Sequence, residues 1–242
     1  MNKLVSSILR VAPAFLVLGL VSTAMAETPE ELIGRLEQKE AELKTWEFKA
    51  TMNMTSPYVS MEQTMTQIGE RVDATHAKTR MESAGTMTMT GAPEPMKSSS
   101  TLVSDGEFVW AEMNGMGQLQ VTKQKADNSQ SPVAALKAQL ATNAAVVKDA
   151  EEVNGEMCAV LQMTQGEGEQ ATVTTQWFSE KTGMMLKLES SGGAMSQKMT
   201  MIVTEYKVNE GVDSSKFSYT PPAGVEVMDM TAAEKPAAAV AE

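Results

Sequence analysis

A strict alternation of apolar and polar residues recurs along most of the chain, and it restricts the fold to one built on a long β-sheet. The clearest run places Trp46, Phe48, Ala50, Met52 and Met54 between charged and polar residues. Because alternate residues of a strand point to the same face, this run predicts a strand with one buried face. Similar runs predict strands at residues 60–71, 79–90, 157–163, 172–178, 184–189, 199–206 and 216–219, and a hairpin at 102–110 followed by a strand near 119–121.

Two segments change to the helical period. Residues 28–31 (Thr-Pro-Glu-Glu) have the pattern of a capping box with proline at the first helical position. Leucine and isoleucine then recur at helical spacing, which predicts a helix to about Lys44. A second helix is predicted from Ser131 to Val147, where Ser-Pro begins another segment with helical spacing.

The order of these elements indicates the fold class. One helix, a run of antiparallel strands, an inserted helix and more strands are typical of an α+β domain, with helices on one face of an antiparallel sheet. A sheet this long must curl, and we expect the helices to cover its concave face. The curvature predicts a groove between sheet and helices.

The N-terminus has the parts of an export signal. Lys3 and Arg10 precede an apolar stretch at residues 11–21. This stretch is shorter than the roughly 20 apolar residues that span a bilayer. Residues 24–26 (Ala-Met-Ala) then give the small-x-small pattern of a cleavage site, with no cysteine nearby for lipidation. We predict a cleaved signal peptide at 1–26, one domain at 27–228 and a mobile C-terminal tail at 229–242.

Charge and cysteine content exclude several classes of partner and bond. The formal net charge of −11 disfavours nucleic acid and anionic membranes as main partners. The single cysteine, Cys158, excludes an internal disulfide, and we expect it to be a small buried residue. Methionine is unusually frequent, with 21 residues, so flexible thioethers are predicted to fill much of the apolar interior.

Two motifs resemble the outer-membrane lipoprotein carrier (LolA-like) superfamily. Residues 102–110, LVSDGEFVW, are similar to the family hairpin LVSDG-x-x-x-W. Residues 211–225, GVDSSKFSYTPPAGV, are similar to its C-terminal pattern VD-x-x-x-F-x-(F/Y)-TPP-x-GV. Weaker similarity lies at residues 154–161 and 176–183, and the order of elements is similar from about residue 27 to residue 228.

The resemblance implies an unclosed antiparallel β half-barrel around a hydrophobic cavity, with helices as a lid that an arginine holds shut. Arg80 lies in the strand where the superfamily often has an arginine. It also implies a monomeric periplasmic carrier or chaperone that moves an acyl-bearing lipoprotein or lipid towards the outer membrane, between membrane-bound donor and acceptor proteins. Related domains act as sensors of lipid or mislocalised lipoprotein, and the sequence does not separate the two roles.

Residue parity gives the predicted groove lining. Each predicted strand contributes apolar residues spaced two apart, which share one face. The predicted ligand-binding residues are Trp46, Phe48, Met52, Met54, Phe108, Trp110, Leu161, Met163, Trp177, Leu186, Leu188, Met199 and Met201.

Catalytic chemistry is not predicted. His76, the only histidine, lies in a polar stretch and is expected at the surface, and no cofactor motif or metal cluster is apparent. A rival hypothesis is Cu(I) or oxidant binding, because Met-x-Met pairs place two soft sulfurs on one strand face. These pairs are Met52/Met54, Met87/Met89, Met199/Met201 and Met228/Met230.

Overall fold

The structure is a computed structural model that describes residues 27–73, 76–115, 117–126, 131–193 and 196–231. The predicted signal peptide and residues 232–242 of the predicted tail lie outside this part. The helices are α1 (Pro29–Glu42) and α2 (Pro132–Leu140). The strands are β1 (Thr45–Thr55), β2 (Val59–Arg71), β3 (Ala77–Met89), β4 (Met96–Ser104), β5 (Phe108–Gly115), β6 (Gln118–Lys125), β7 (Ala144–Val153), β8 (Glu156–Gln165), β9 (Thr172–Ser179), β10 (Met185–Gly192), β11 (Gln197–Val208) and β12 (Val227–Asp229).

All twelve strands form one sheet, in the order β12-β6-β5-β4-β3-β2-β1-β11-β10-β9-β8-β7. Neighbouring strands are antiparallel except β12, which pairs with β6 in parallel. The sheet is not closed, because β7 and β12 are edge strands at its two ends. This architecture confirms the predicted α+β fold with an unclosed antiparallel half-barrel.

Helix α1 forms as its sequence predicts. The Thr28 hydroxyl accepts a hydrogen bond from the Glu31 N–H at 3.2 Å, and the Glu31 carboxylate accepts one from the Thr28 N–H at 2.8 Å. The buried face consists of Leu32, Ile33 and Leu36. The helix therefore has a fixed start and a single apolar face that packs against the sheet.

The second helix is shorter than predicted. It ends at Leu140, and Ala144–Val153 is strand β7, so the predicted helix to Val147 is wrong over its last seven residues, about two turns. The β-branched Val146 and Val147 favour a strand, and they alternate between an exposed and a partly buried position. The alanines at positions 144 and 145 fit both the helical period and the two-residue period of a strand. Pairing of this segment with β8 favours the strand.

The C-terminal segment also differs from prediction. The strand predicted at 216–219 is absent, and Ser214–Phe217 forms a 3₁₀ turn. The Asp213 carboxylate accepts a hydrogen bond from the Ser215 N–H at 3.0 Å, which favours a turn over a strand. Phe217, the phenylalanine of the C-terminal motif at residues 211–225, is buried and holds this segment against the rest of the domain. The chain then adds β12, which spans the predicted junction of domain and tail.

Two apolar clusters hold the fold together. The first lies between the helices and strands β8 and β9, and includes Leu36, Leu136 and Leu161. The second joins Trp177 and Cys158 to residues of β1, β10 and β11. Cys158 is fully buried, which confirms its predicted role as a small packed residue. Within the described residues, no helix has the length and apolarity needed to cross a membrane.

Candidate ligand-binding cavity

A cavity of about 710 Å³ lies between the two helices and the face of the sheet that they cover. Volumes of roughly 300–1,000 Å³ are typical of sites for small organic ligands. The lining residues come from α1, α2, eight strands and the loops between them, and most of them are apolar. The apolar lining residues are Leu36, Leu43, Trp46, Phe48, Ala77, Val109, Ala126, Pro132, Val133, Ala134, Ala135, Leu136, Phe178, Met184, Met185, Leu188, Met201 and Val203.

Strand register explains how distant segments reach this cavity. Trp46 pairs with Gly69 on β2, which pairs with Thr79 on β3. The same row continues through Ser104 to Val109 on β5. Directly paired residues share a face, so one wall of the cavity is a single cross-strand row. The row is mixed in polarity, with an aromatic ring at one end and hydroxyl groups in the middle.

The Trp46 ring depends on the glycine beside it. A Cβ atom at position 69 would lie 2.1 Å from the Cε2 and Cζ2 atoms of the Trp46 indole. The indole therefore occupies the space that any other side chain at this position would need. Gly69 lets Trp46 lie flat against the sheet and form part of the cavity wall.

An arginine joins α1 to the sheet at the rim of the cavity. The Arg71 Nε donates a hydrogen bond to the Leu43 carbonyl oxygen at 3.0 Å, and an ion pair joins Arg71 to Glu40 at 3.4 Å. The two side chains are only 19% and 14% exposed. Both Arg71 and Glu40 line the cavity. This contact fixes the C-terminal end of α1 beside the cavity.

Sequence reasoning named Arg80 and missed Arg71. Arg80 lies on β3 outside the cavity lining, where its Nε donates to the Glu82 carboxylate at 2.7 Å. The signal that could have found Arg71 is its position as a basic residue at the end of the alternating run predicted for residues 60–71. His76 is exposed, as predicted, and also lies at the cavity rim.

The structure brings four of the predicted lining residues to the cavity and places nine elsewhere. Trp46, Phe48, Leu188 and Met201 line it. Leu161 and Met163 are buried beneath the helices in the first cluster, and Trp177 and Leu186 belong to the second cluster. Met52, Met54 and Met199 share the cavity face of the sheet but lie beyond the cavity.

Phe108 and Trp110 lie outside the cavity lining, whereas Val109 between them lines it. The Trp110 and Tyr219 ring centroids are 5.6 Å apart, so the C-terminal segment covers this ring. The Lys123 ammonium lies 3.9 Å from the centroid of the Phe108 ring. Trp110 of the hairpin motif thus packs against Tyr219 of the C-terminal motif, and neither aromatic residue of the hairpin lines the cavity beneath the helices.

Reactive groups are few in the described part of the chain. Burial, with a smaller contribution from Glu156, raises the pKa of the Cys158 thiol to about 11, so the thiol is protonated at neutral pH. No group of three histidine, cysteine, aspartate or glutamate residues among those described could hold a metal ion. The mainly apolar lining described above is suited to binding an apolar molecule.

Comparison with known proteins gives similarity in fold only. No protein-family model and no curated protein sequence matches the chain. An uncharacterized conserved protein from Thermus thermophilus is 11% identical, with 83% of this chain and 98% of that chain covered and a TM-score of 0.47. The structure of the MucA/MucB complex of Pseudomonas aeruginosa is 14% identical in sequence, with 78% of this chain and 60% of that chain covered. Its TM-score is 0.43.

A domain of a putative outer membrane lipoprotein-sorting protein from Vibrio parahaemolyticus is 10% identical in sequence. The match covers 78% of this chain and 96% of that chain, with a TM-score of 0.34. At these identities no residue of the cavity is assigned a role from another protein.

Proposed function

We propose that this protein binds an acyl-bearing lipid or lipoprotein in the cavity beneath α1 and α2, and carries it through the periplasm. The observation that carries the proposal is the 710 Å³ space with a mainly apolar lining, enclosed between the sheet and two helices. The predicted signal peptide supports an extracytoplasmic location. The sequence motifs support a role in delivery towards the outer membrane.

The energetics favour an acyl chain as the ligand. Burial of each methylene group contributes about 0.8 kcal/mol, so about ten buried methylenes contribute about 8 kcal/mol. A binding free energy of that size corresponds to a dissociation constant of about 1 µM. Such an affinity holds a ligand during transfer and still permits its release.

The lining is suited to exchange of ligands. Met184, Met185 and Met201 contribute flexible thioether side chains, which re-pack around different shapes. Arg71 and Glu40 supply the polar contact at the rim that holds α1 in place. We infer that opening of this contact widens the entrance, because α1 covers one side of the cavity.

The first experiment asks whether the protein carries a lipid. Protein purified from periplasmic extract is analysed by native mass spectrometry and lipid extraction, and its affinity for a fluorescent fatty acid is measured. We expect a co-purifying acyl species and binding near the micromolar range. An empty protein that also fails to bind the fatty acid would refute the proposal.

Matched variants assign the binding to the cavity. Met201→Gln introduces an amide into the lining, and we expect at least a fivefold loss of fatty-acid affinity. Met157→Gln makes the same change at an exposed position outside the lining and should leave the affinity unchanged. Equal effects of the two variants would show that the fatty acid binds elsewhere.

Carrier and sensor roles are separated by the partner. A crosslinked pull-down that recovers an outer-membrane receptor, with transfer of labelled lipoprotein to outer-membrane vesicles, supports a carrier. Recovery of a membrane-bound regulator without transfer refutes the carrier role and supports a sensor that uses the same cavity.

A further inference from the structure

Five methionines form a continuous cross-strand row on the sheet, separate from the cavity. Met199 on β11 pairs with Met54 on β1, and Met54 pairs with Met61 on β2. Met61 pairs with Met87 on β3, which pairs with Met96 on β4. We call these five residues the methionine row. It crosses five adjacent strands without interruption by another residue type.

The row brings sulfur atoms from distant parts of the sequence close together. Directly opposed residues on an antiparallel pair have Cβ atoms roughly 4.5–5.5 Å apart. A methionine side chain has three rotatable bonds, so neighbouring thioethers in such a row can converge on one point. Met54 lies between two methionine neighbours, and the next pair along the same two strands is Met52 with Met201. The density of thioethers is therefore greatest around Met54.

The methionine row is not part of the buried core. All five side chains are only partly buried, and none belongs to either core cluster. The row also lies outside the lining of the cavity. Val and Ile are the residues that usually fill a half-buried strand face, and the row contains neither.

The sulfur of Met54 is already in a polar contact. The Gln197 side-chain amide donates a hydrogen bond to the Met54 Sδ. Gln197 and Met199 are two residues apart on β11 and so share a face, which places the Met54 sulfur where a polar side chain of the neighbouring strand reaches it.

We propose that the methionine row binds Cu(I), with Met54 and its two cross-strand neighbours, Met61 and Met199, as the ligands. Thioethers are soft ligands that favour Cu(I) over harder divalent cations. Three neutral sulfurs leave the positive charge of the ion uncompensated, and the net charge of −11 on the chain attracts a cation to the surface. This site is distinct from the lipid cavity and does not depend on lipid binding.

The proposed ligands predict a characteristic pH dependence. Cysteine, histidine and carboxylate ligands must lose a proton to bind a metal, so their affinity falls as the pH is lowered. A thioether carries no proton. We therefore expect the Cu(I) affinity to stay constant between pH 5 and pH 7.5, which separates this site from adventitious binding to His76 or carboxylates.

The test is an anaerobic titration of the protein, purified from periplasmic extract and freed of metal, with Cu(I) alone against a chromogenic Cu(I) chelator. We expect one Cu(I) per chain and an X-ray absorption spectrum with only sulfur neighbours. The variant Met54→Leu/Met61→Leu/Met199→Leu conserves volume, and we expect it to bind Cu(I) at least a hundredfold more weakly. The control Met113→Leu/Met157→Leu/Met228→Leu changes three exposed methionines outside the row and should bind like the unmodified protein.

Thermal unfolding of both triple variants verifies that they are folded before the titrations are compared. The proposal is overturned if the unmodified protein binds no stoichiometric Cu(I). It is also overturned if the two triple variants bind equally, or if nitrogen or oxygen neighbours dominate the spectrum. Fatty-acid binding is measured on the same samples, so a failure of the copper site is distinguished from a failure of the lipid proposal.

Discussion

Replacement of Arg71 by methionine will loosen helix α1 from the sheet. Methionine keeps the apolar stem of the arginine and removes its two polar contacts. The hydrogen bond from the Arg71 Nε to the Leu43 carbonyl, at 3.0 Å, contributes about 1 kcal/mol. The ion pair with Glu40 is long, at 3.4 Å, but both partners are mostly buried, so its loss costs about another 1 kcal/mol.

We therefore expect Arg71→Met to lower the free energy of unfolding by about 2 kcal/mol. For a domain of this size the melting temperature should fall by about 4–8 °C. The assays are urea denaturation and amide hydrogen exchange of α1, where exchange should accelerate more than in the strands. Fatty-acid association should also become faster, because α1 covers one side of the cavity.

Arg80→Met is the matched control. Arg80 also forms an ion pair, with Glu82, but more than half of the Glu82 side chain is exposed, and such pairs contribute about 0–1 kcal/mol. Its loss should leave exchange in α1 unchanged. If Arg71→Met costs no more than Arg80→Met, or if α1 exchanges at its original rate, the reasoning about the rim contact is refuted.

Three further substitutions or measurements test other contacts. Gly69→Ala should destabilise the fold by about 1–3 kcal/mol in urea denaturation and change the tryptophan fluorescence, because the new Cβ would overlap the Trp46 ring. Gly34→Ala on α1 is the control, because its Cβ meets nothing within 4 Å, and it should be neutral or stabilising in the same assay. Thr28→Ala removes the helix cap and should cost about 1 kcal/mol by the same assay, and no change would refute the capping role. The Cys158 thiol should resist alkylation at pH 8 until the protein unfolds. The pKa of this thiol is about 11 in the folded protein and about 8.5 in the unfolded chain. The thiol therefore contributes stability below pH 8.5, and this contribution is lost as the pH rises to about 11. Denaturation at a series of pH values will measure the loss.

Local patterns predicted most of the strands and the first helix. The alternation from Trp46 to Met54 depends on the two-residue period of a strand, which survives in any tertiary context. The capping box of α1 is also local, since its two hydrogen bonds join residues three apart. Features that depend on neighbours in sequence are therefore recovered from the sequence alone.

The second helix shows where local patterns fail. The segment that contains Ala144 and Ala145 fits a helix and a strand equally well. Pairing of Val147 with Leu161 decides the outcome, and that partner lies on another strand. The choice depends on tertiary contacts, which a short window of sequence does not contain.

Tertiary contacts also explain why only part of the cavity lining could be predicted. Alternation shows which residues share a face but does not show which of the two faces the helices cover. For Trp46 and Phe48 the more apolar face is the cavity face. For the β5 strand the more aromatic face is covered by Tyr219 instead, so Val109 lines the cavity. A C-terminal segment more than one hundred residues away decides this orientation.

An unclosed sheet also has two free edges, and free edges are sites where other chains can add a strand. On β7 the pairing register shifts between Lys148 and Glu151, and the exposed residues there include Asp149 and Glu152. A distorted and acidic edge repels a second copy of itself, and the opposite edge, β12, is only three residues long. Both edges are thus protected against β-sheet aggregation, although the sheet is not closed into a barrel.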